Sequence, residues 1–308
     1  MTITGILPVI PTPFDRGQFD AASFRRLLDH TLASVDGYTL LGSTGEAPSM
    51  STRERMDITE AALAMVPQDK TVVVGVTHTS LHESVRLAQH AARHGAAGVL
   101  CASPYYFPNT RDGLRGYLAE LSASVDIEVV FYDNPTPTAT AVTIEQVLEY
   151  AAGIARLNTV KLTDHGLAKV PAWQQAGLTV LGGDDPILFR YLAAGVDGVM
   201  VIAPAIFPDA FRETWQLARA GRLAEAFAVF SAEILPFLHV FGIGDEIATS
   251  KAVLREIGVF ASDEVRLPLV GVDQRRRELL AEAYRLCRER TAARTASGSA
   301  GAEPAAAR

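Results

Sequence analysis

The sequence predicts an α/β fold: a (β/α)8 TIM barrel with an appended C-terminal helical layer. Eight short β-rich runs alternate with longer helical patterns. Most of the runs are continuously apolar, as expected of parallel strands covered on both faces, rather than alternating. A weak internal repeat points the same way. Val35-Asp36-Gly37-Tyr38, Ala96-Ala97-Gly98-Val99 and Val196-Asp197-Gly198-Val199 each read as a helix exit, a glycine turn and the start of a strand. Eight such units in about this length close into a barrel.

The expected strands are, in order, Gly5 to Ile10, Tyr38 to Leu41, Thr71 to Val76, Val99 to Cys101, Ile127 to Tyr132, Thr159 to Leu162, Thr179 to Leu181 and Val199 to Ile202. Three of the helices between them open with capping boxes, at Ser51 to Glu54, Ser80 to Glu83 and Thr143 to Gln146. There the hydroxyl and the carboxylate or amide satisfy backbone N–H groups that a helix start leaves unpaired. The barrel is assigned to residues 1–220 and the packed C-terminal helices to 221–290. Those helices are expected at about Leu223 to Leu238, Glu246 to Glu256 and Gln274 to Arg290, with Arg275-Arg276-Arg277 as a solvated face. Residues 291–308, rich in Ala, Gly, Ser and Arg without apolar periodicity, read as a disordered tail.

The chain has 308 residues, 48% of them hydrophobic, enough for one large core. A net charge of -7 argues against nucleic acid as a partner. No apolar stretch is long enough to span a bilayer, and Met1 to Asp15 lacks the pattern of a signal peptide, so no membrane association is expected. Two cysteines far apart in sequence, Cys101 and Cys287, read as reduced thiols of a cytoplasmic protein.

Of the four lysines, Lys70, Lys169 and Lys251 fall in a polar turn or on expected helices, where a solvated charge needs no explanation. Lys161 sits in the apolar strand Thr159 to Leu162. A desolvated ammonium is penalised unless paired or neutralised. Two readings follow: pairing with a carboxylate such as Asp164 or Asp184, or a depressed pKa that frees an amine able to attack a carbonyl.

The ends of the expected strands collect polar residues at one face, the face where such barrels place their sites. The second strand ends in Gly42-Ser43-Thr44-Gly45-Glu46, readable as an anion-binding loop or as an ordinary tight turn. The fourth ends in Ser103-Pro104-Tyr105-Tyr106, whose tyrosines suit packing or an interface. The fifth ends in Tyr132-Asp133-Asn134-Pro135, the sixth carries Lys161, and the seventh ends in Gly182-Gly183-Asp184-Asp185.

With these motifs together, the chain resembles the dihydrodipicolinate synthase / N-acetylneuraminate lyase family of pyruvate-dependent class I aldolases over about Ile3 to Arg290. The resemblance implies that Lys161 forms a Schiff base with pyruvate or another 2-oxo acid and that Tyr132 relays protons. It implies that Ser43 and Thr44 hold the carboxylate, and that Gly183 and the backbone of Ile202 line the pocket. It also implies that Tyr106 enters the site of a neighbouring subunit, giving a homodimer or homotetramer. The implied partners are a small 2-oxo acid and an aldehyde. No metal or organic cofactor is implied, since the protonated imine is itself the electron sink.

One departure bears on the substrate. Family members that use aspartate semialdehyde carry an arginine where Pro137 stands here, and Thr136 and Thr138 are more like the hydroxyl-binding residues of sugar-acid aldolases. Asp133 would repel an anionic acceptor if it faced the pocket. The expected activity is therefore a Schiff-base lyase or aldolase joining or splitting pyruvate and an aldehyde. The alternatives are 4-hydroxy-tetrahydrodipicolinate synthase, a keto-deoxy sugar-acid dehydratase, and a non-catalytic metabolite-binding barrel.

Overall fold

The computed structural model describes residues 2–241 and 246–300. Eight parallel strands form the barrel: β1 (Gly5–Ile6), β2 (Gly37–Leu40), β3 (Thr71–Gly75), β4 (Gly98–Ala102), β5 (Glu128–Asp133), β6 (Thr159–Leu162), β7 (Thr179–Gly182) and β8 (Gly198–Val199). All eight expected strands are present. β1 is shorter than its apolar run because Pro8 offers no N–H to the ladder, yet Leu7 and Val9 still donate to Val199 and Val201. The ring closes between β1 and β2, where Thr39 N–H donates to Pro8 O and Ile10 N–H to Thr39 O.

Eight principal helices follow the strands: α1 (Ala21–Thr31), α2 (Thr52–Leu63), α3 (Leu81–Arg93), α4 (Arg111–Ala123), α5 (Ile144–Gly153), α6 (Lys169–Gln175), α7 (Leu188–Ala194) and α8 (Pro208–Arg219). The capping boxes at Ser51 and Thr143 form as expected. The one at Ser80 does not. The Ser80 hydroxyl makes no cap, its N–H donates to His78 Nδ1, and Glu83 turns to Arg86.

Strand periodicity decides which side chains enter the barrel. On β5, Phe131 meets the ring of Tyr150 on α5 edge-on, with centroids 6.4 Å apart, and so faces the outer helices. Its neighbour Tyr132 therefore points inward. Tyr132 stands in register with Lys161 on β6, and Lys161 with Leu181 on β7. Asp133, on the outward face like Phe131, is directed away from the pocket. Its carboxylate accepts from Lys169 of α6 at 2.6 Å. Asp133 is therefore placed to hold α6 rather than to repel an acceptor.

A feature absent from the sequence reading is a hairpin, Phe14–Asp15 with Gln18–Phe19. Its two-residue turn places Arg16 and Gly17 at φ 49° and 74°, the paired positive values of a tight hairpin turn. The C-terminal layer consists of α9 (Leu223–Glu233), a short turn of helix, α10 (Glu246–Glu256) and α11 (Gln274–Ala300). Phe207 packs against Phe237 and Tyr284, and Phe189 against Phe227 and Phe230. α11 runs past Thr291, where the tail was expected to begin, because Arg294 is clamped between Glu213 and Glu233. The rest of that tail, 301–308, lies outside the described residues. In the basic run, Arg277 is half-buried and paired with Asp263, so it is not a solvated face.

Lys169 and Lys251 also depart from expectation. Lys169 is largely covered and bridges Asp133 and Asp164. Lys251, on α10, is fully buried and paired with Glu46, which is 1% exposed. Lys251 also donates to Glu264 O at 2.7 Å. Glu46 accepts from the Arg266 N–H at 2.7 Å. The Phe14 ring contacts both cations, with centroid distances of 4.4 Å to Lys251 Nζ and 4.3 Å to Arg266 Cζ.

Removing one partner of such a buried pair strands the other charge. Lys251→Met is expected to destabilise the fold by roughly 3–5 kcal/mol. Adding Glu46→Gln should recover part of that loss in urea unfolding. A double variant less stable than the single one would show that the pair is not coupled.

Candidate active site

The loop after β2 holds Ser43 and Thr44 at the C-terminal mouth of the barrel. Its two ends are strained: Leu41 and Glu46 adopt φ 54° and 58°, the left-handed region that a bulky side chain rarely visits. Surrounding contacts fix this shape. Thr12 donates to Gly45 O at 2.7 Å, Glu46 N–H to Ser43 O at 3.0 Å, and the Glu46 carboxylate is held by Lys251. Ser43 is exposed and Thr44 half-buried at the mouth.

Below them stand Lys161 and Tyr132, 4% and 7% exposed. Lys161 Nζ lies over the Tyr132 ring, 4.1 Å from its centroid. Both carboxylates that the sequence offered as partners are occupied elsewhere. Asp164 binds Lys169 and the Gly166 N–H, and Asp184 lies 3.3 Å from His165 Nε2. Among the described residues Lys161 forms no hydrogen bond or ion pair. Burial accordingly pushes its pKa down to about 7, with Asp185 and Asp184 opposing from a distance. Burial raises the Tyr132 phenol well above its ordinary value, against the pull of the Ser43 hydroxyl. At neutral pH the pair is therefore an amine with a substantial unprotonated fraction beside a protonated phenol.

β7 supplies the third wall. Gly183 follows it on the inward face, and a Cβ there would lie 2.5 Å from Lys161 Cε and 2.8 Å from Thr163 Cγ2. Its lack of a side chain is the space Lys161 occupies. Asp185, buried, accepts from the N–H groups of Ile202 and Ala203 at 2.8 and 2.9 Å. It thereby fixes the segment after β8 whose Ile202 was expected to line the pocket. Burial raises the Asp185 carboxyl, and these two donors pull it back.

Tyr106 is not brought to the pocket within one chain. It is 77% exposed and packs edge-on against Phe107, itself 73% exposed, with ring centroids 4.8 Å apart. In the loop after β5, Thr138 is buried and donates to Asn134 O at 2.7 Å, so its hydroxyl is already engaged. Thr136 and Pro137 are exposed.

Three contributors escaped the sequence reading. Asp185 and Glu46 stood inside recognised motifs without a role. Lys251 lay in a helical pattern that gave no sign of being covered on all sides, although α10 is buried continuously from Ala248 to Leu254. Both cysteines are buried and free, with thiols pushed up to about 12 for Cys101 and about 11 for Cys287 by burial. Neither is a nucleophile at neutral pH.

Gly183→Ala is expected to displace Lys161 by roughly 1 Å and to lower turnover by about two orders of magnitude, with the circular dichroism spectrum unchanged. Activity within twofold of the parent would show that this approach is not required.

Residues 2–285 match the model of the "Dihydrodipicolinate synthetase family". The 4-hydroxy-tetrahydrodipicolinate synthase of Thermosipho melanesiensis is 29% identical over 288 residues, covering 92% of this chain and 99% of that protein. Among solved structures, the 4-hydroxy-tetrahydrodipicolinate synthase of Methylacidiphilum fumariolicum SolV superposes with a TM-score of 0.89 at 25% identity, covering 95% of this chain and 98% of that one. YagE, a prophage protein from E. coli K12 solved in complex with pyruvate, gives 0.87 at 26% identity, covering 93% and 100%. The chain, with eight parallel strands and its motifs at one barrel mouth, belongs to the dihydrodipicolinate synthetase family.

Proposed function

We propose that this barrel makes and breaks a carbon–carbon bond between pyruvate, or a related 2-oxo acid, and an aldehyde, through an imine on Lys161. Family membership makes the chain a carbon–carbon lyase of the pyruvate-aldolase kind. The observation that carries the reading is Lys161 itself: buried, without a carboxylate partner, and with its pKa pushed down to about 7. An amine that is neutral near physiological pH is the nucleophile an imine requires.

In this scheme Lys161 Nζ adds to the C2 carbonyl carbon. The carbonyl oxygen takes up protons and leaves as water, giving a protonated imine. That cation draws electrons from C3, which loses a proton to form an enamine. The enamine carbon attacks the aldehyde carbon, whose oxygen takes a proton, and water then releases the product and restores the amine. Cleavage runs the same bonds in reverse.

Tyr132, protonated and over the amine, relays protons to and from the carbinolamine oxygen. Ser43 and Thr44 receive the carboxylate at the mouth. Gly183 leaves room for Lys161, and Asp185 holds the Ile202 backbone against the pocket. The exposed Tyr106–Phe107 pair fits a second copy of the chain, so that Tyr106 completes a neighbour's relay in a homodimer, doubled into a tetramer. The imine is the electron sink, so the scheme calls for no cofactor. We place the protein in the cytoplasm, in keeping with two buried free thiols. No helix among the described residues is long and apolar enough to cross a membrane.

A second reading is 4-hydroxy-tetrahydrodipicolinate synthase, favoured by the names of the curated relatives. Against it stands Pro137, exposed at the position where an arginine would grip the carboxylate of aspartate semialdehyde.

Incubation with pyruvate and borohydride should add a reduced pyruvyl group to Lys161, read by mass spectrometry. Lys161→Arg should abolish it, because guanidinium stays protonated. The pH dependence has a definite sign. Protonation disables the amine, so kcat/KM for pyruvate should rise with pH below about 7 and level off above it. A rise that continues to pH 9 or 10 would mean an ordinary lysine, and no adduct at Lys161 would end the imine scheme.

A panel of aldehydes with pyruvate separates the two substrate readings. Without the arginine, aspartate semialdehyde should bind about one to two orders of magnitude more weakly than to an arginine-bearing site, a loss of roughly 1.5–3 kcal/mol. Neutral or hydroxylated aldehydes should then be better acceptors. Aspartate semialdehyde emerging as the best acceptor would establish the second reading instead.

A further inference from the structure

We propose that Glu60, His90 and His94 form a site for a divalent transition-metal ion of the Zn2+ class, bridging α2 and α3 on the outer wall of the barrel. Nothing in the proposed reaction uses these residues, since Lys161 faces the barrel interior.

His90 lies in the last turn of α3, and His94 is the cap four residues on. That spacing puts both imidazoles on one helix face. Their ring centroids are 4.4 Å apart, with planes inclined by 33°. Glu60 meets them from α2, its Oε2 3.8 Å from His94 Nε2. One candidate ligand atom from each of the three residues lies within 4.8 Å of the other two. A tetrahedral Zn2+ with bonds of about 2.0 Å sets its ligands roughly 3.3 Å apart. Closing the site therefore requires shifts of about an ångström in side chains that are exposed or half-buried.

A second contact suits the same purpose. Met56, one turn before Glu60 on α2, presents its backbone carbonyl to His90 Nε2 at 3.1 Å. With the proton on that nitrogen, the ring's other nitrogen keeps a free lone pair. A metal-ligating imidazole commonly gives its second N–H to a carbonyl in this way, which fixes its tautomer and orientation. The two helices thus face each other in two rungs, Met56 against His90 and Glu60 against His94. Arg93 opposes a cation, and the Glu60 carboxylate offsets it. Two imidazoles with one carboxylate select Zn2+ and its transition-metal relatives over Mg2+ or Ca2+. With three protein ligands, the fourth position is left to water.

The full-length protein, stripped with EDTA and titrated calorimetrically with ZnCl2, should take up one equivalent at this site. His94→Ala and Glu60→Gln should each weaken that equivalent at least tenfold, and the His90→Ala/His94→Ala pair should remove it. Zn2+ should raise the thermal midpoint of the parent but not of the double variant. An equivalent bound with unchanged affinity by the double variant would overturn the proposal. So would Mg2+ binding as tightly as Zn2+, or a parent that binds no Zn2+ at all.

Discussion

An ammonium group withdrawn from water must find a counter-charge or give up its proton, and that constraint organises this barrel. Three of its four lysines are largely or wholly covered, and each meets the constraint differently. Lys169 lies between Asp133 and Asp164, whose hydrogen bonds overcome the effect of burial and raise its pKa. Lys251 is paired with Glu46 and bound to a carbonyl. Lys161 has neither, and its pKa falls to about 7. Burial alone does not distinguish Lys161 from the two paired lysines. The difference is that the carboxylates of the loops after β6 and β7 have been taken by other groups: Asp164 by Lys169, Asp184 by His165, and Asp185 by two backbone amides.

The same principle explains how the mouth is built. The loop after β2 must turn sharply enough to present Ser43 and Thr44, and Leu41 and Glu46 carry the strain at its ends. A strained loop persists only if its surroundings over-determine it. Here they come from far along the chain: Lys251 on α10, and the Arg266 amide, whose guanidinium also reaches Gly17 of the hairpin and Glu54 at the start of α2. The C-terminal layer is thus part of the construction of the barrel mouth, because it supplies the cation that holds the loop after β2 in shape.

The barrel was legible because its strands are unbroken apolar runs and because glycine turns recur before them. The positions of Lys161 and Tyr132 were legible for a related reason. Adjacent parallel strands place in-register residues side by side, and Tyr132 and Lys161 are such a pair. What the sequence hid were long-range pairings. Nothing local in Thr249-Ser250-Lys251 reveals a glutamate two hundred residues earlier, and nothing around Arg294 announces Glu213 and Glu233. The facing of Asp133 was left open because it depends on strand phase, which the ring contact between Phe131 and Tyr150 settles. The Ser80 box failed because His78 competes for the same N–H, a local rivalry the motif does not encode.

The two loops proposed to govern substrate choice and assembly meet in one hydrogen-bonded unit. The Asn109 side chain donates to Pro104 O at 2.6 Å and to Thr140 Oγ1 at 2.9 Å. Thr140 in turn donates to Thr138 O at 3.1 Å, and Thr138 to Asn134 O at 2.7 Å. The loop after β4, which displays Tyr106 and Phe107, is thereby stitched to the loop after β5, which carries Thr136 and Pro137. A rearrangement of the aromatic pair against a neighbouring subunit would pass through Asn109 to the segment proposed to select the aldehyde. In the same way, a bulkier acceptor pressing on Thr136 would press on the presentation of Tyr106. The buried hydroxyls of Thr138 and Thr140 are spent on this connection rather than on substrate. Of the two threonines that suggested a sugar-acid acceptor, that leaves Thr136 as the one with a free surface to offer.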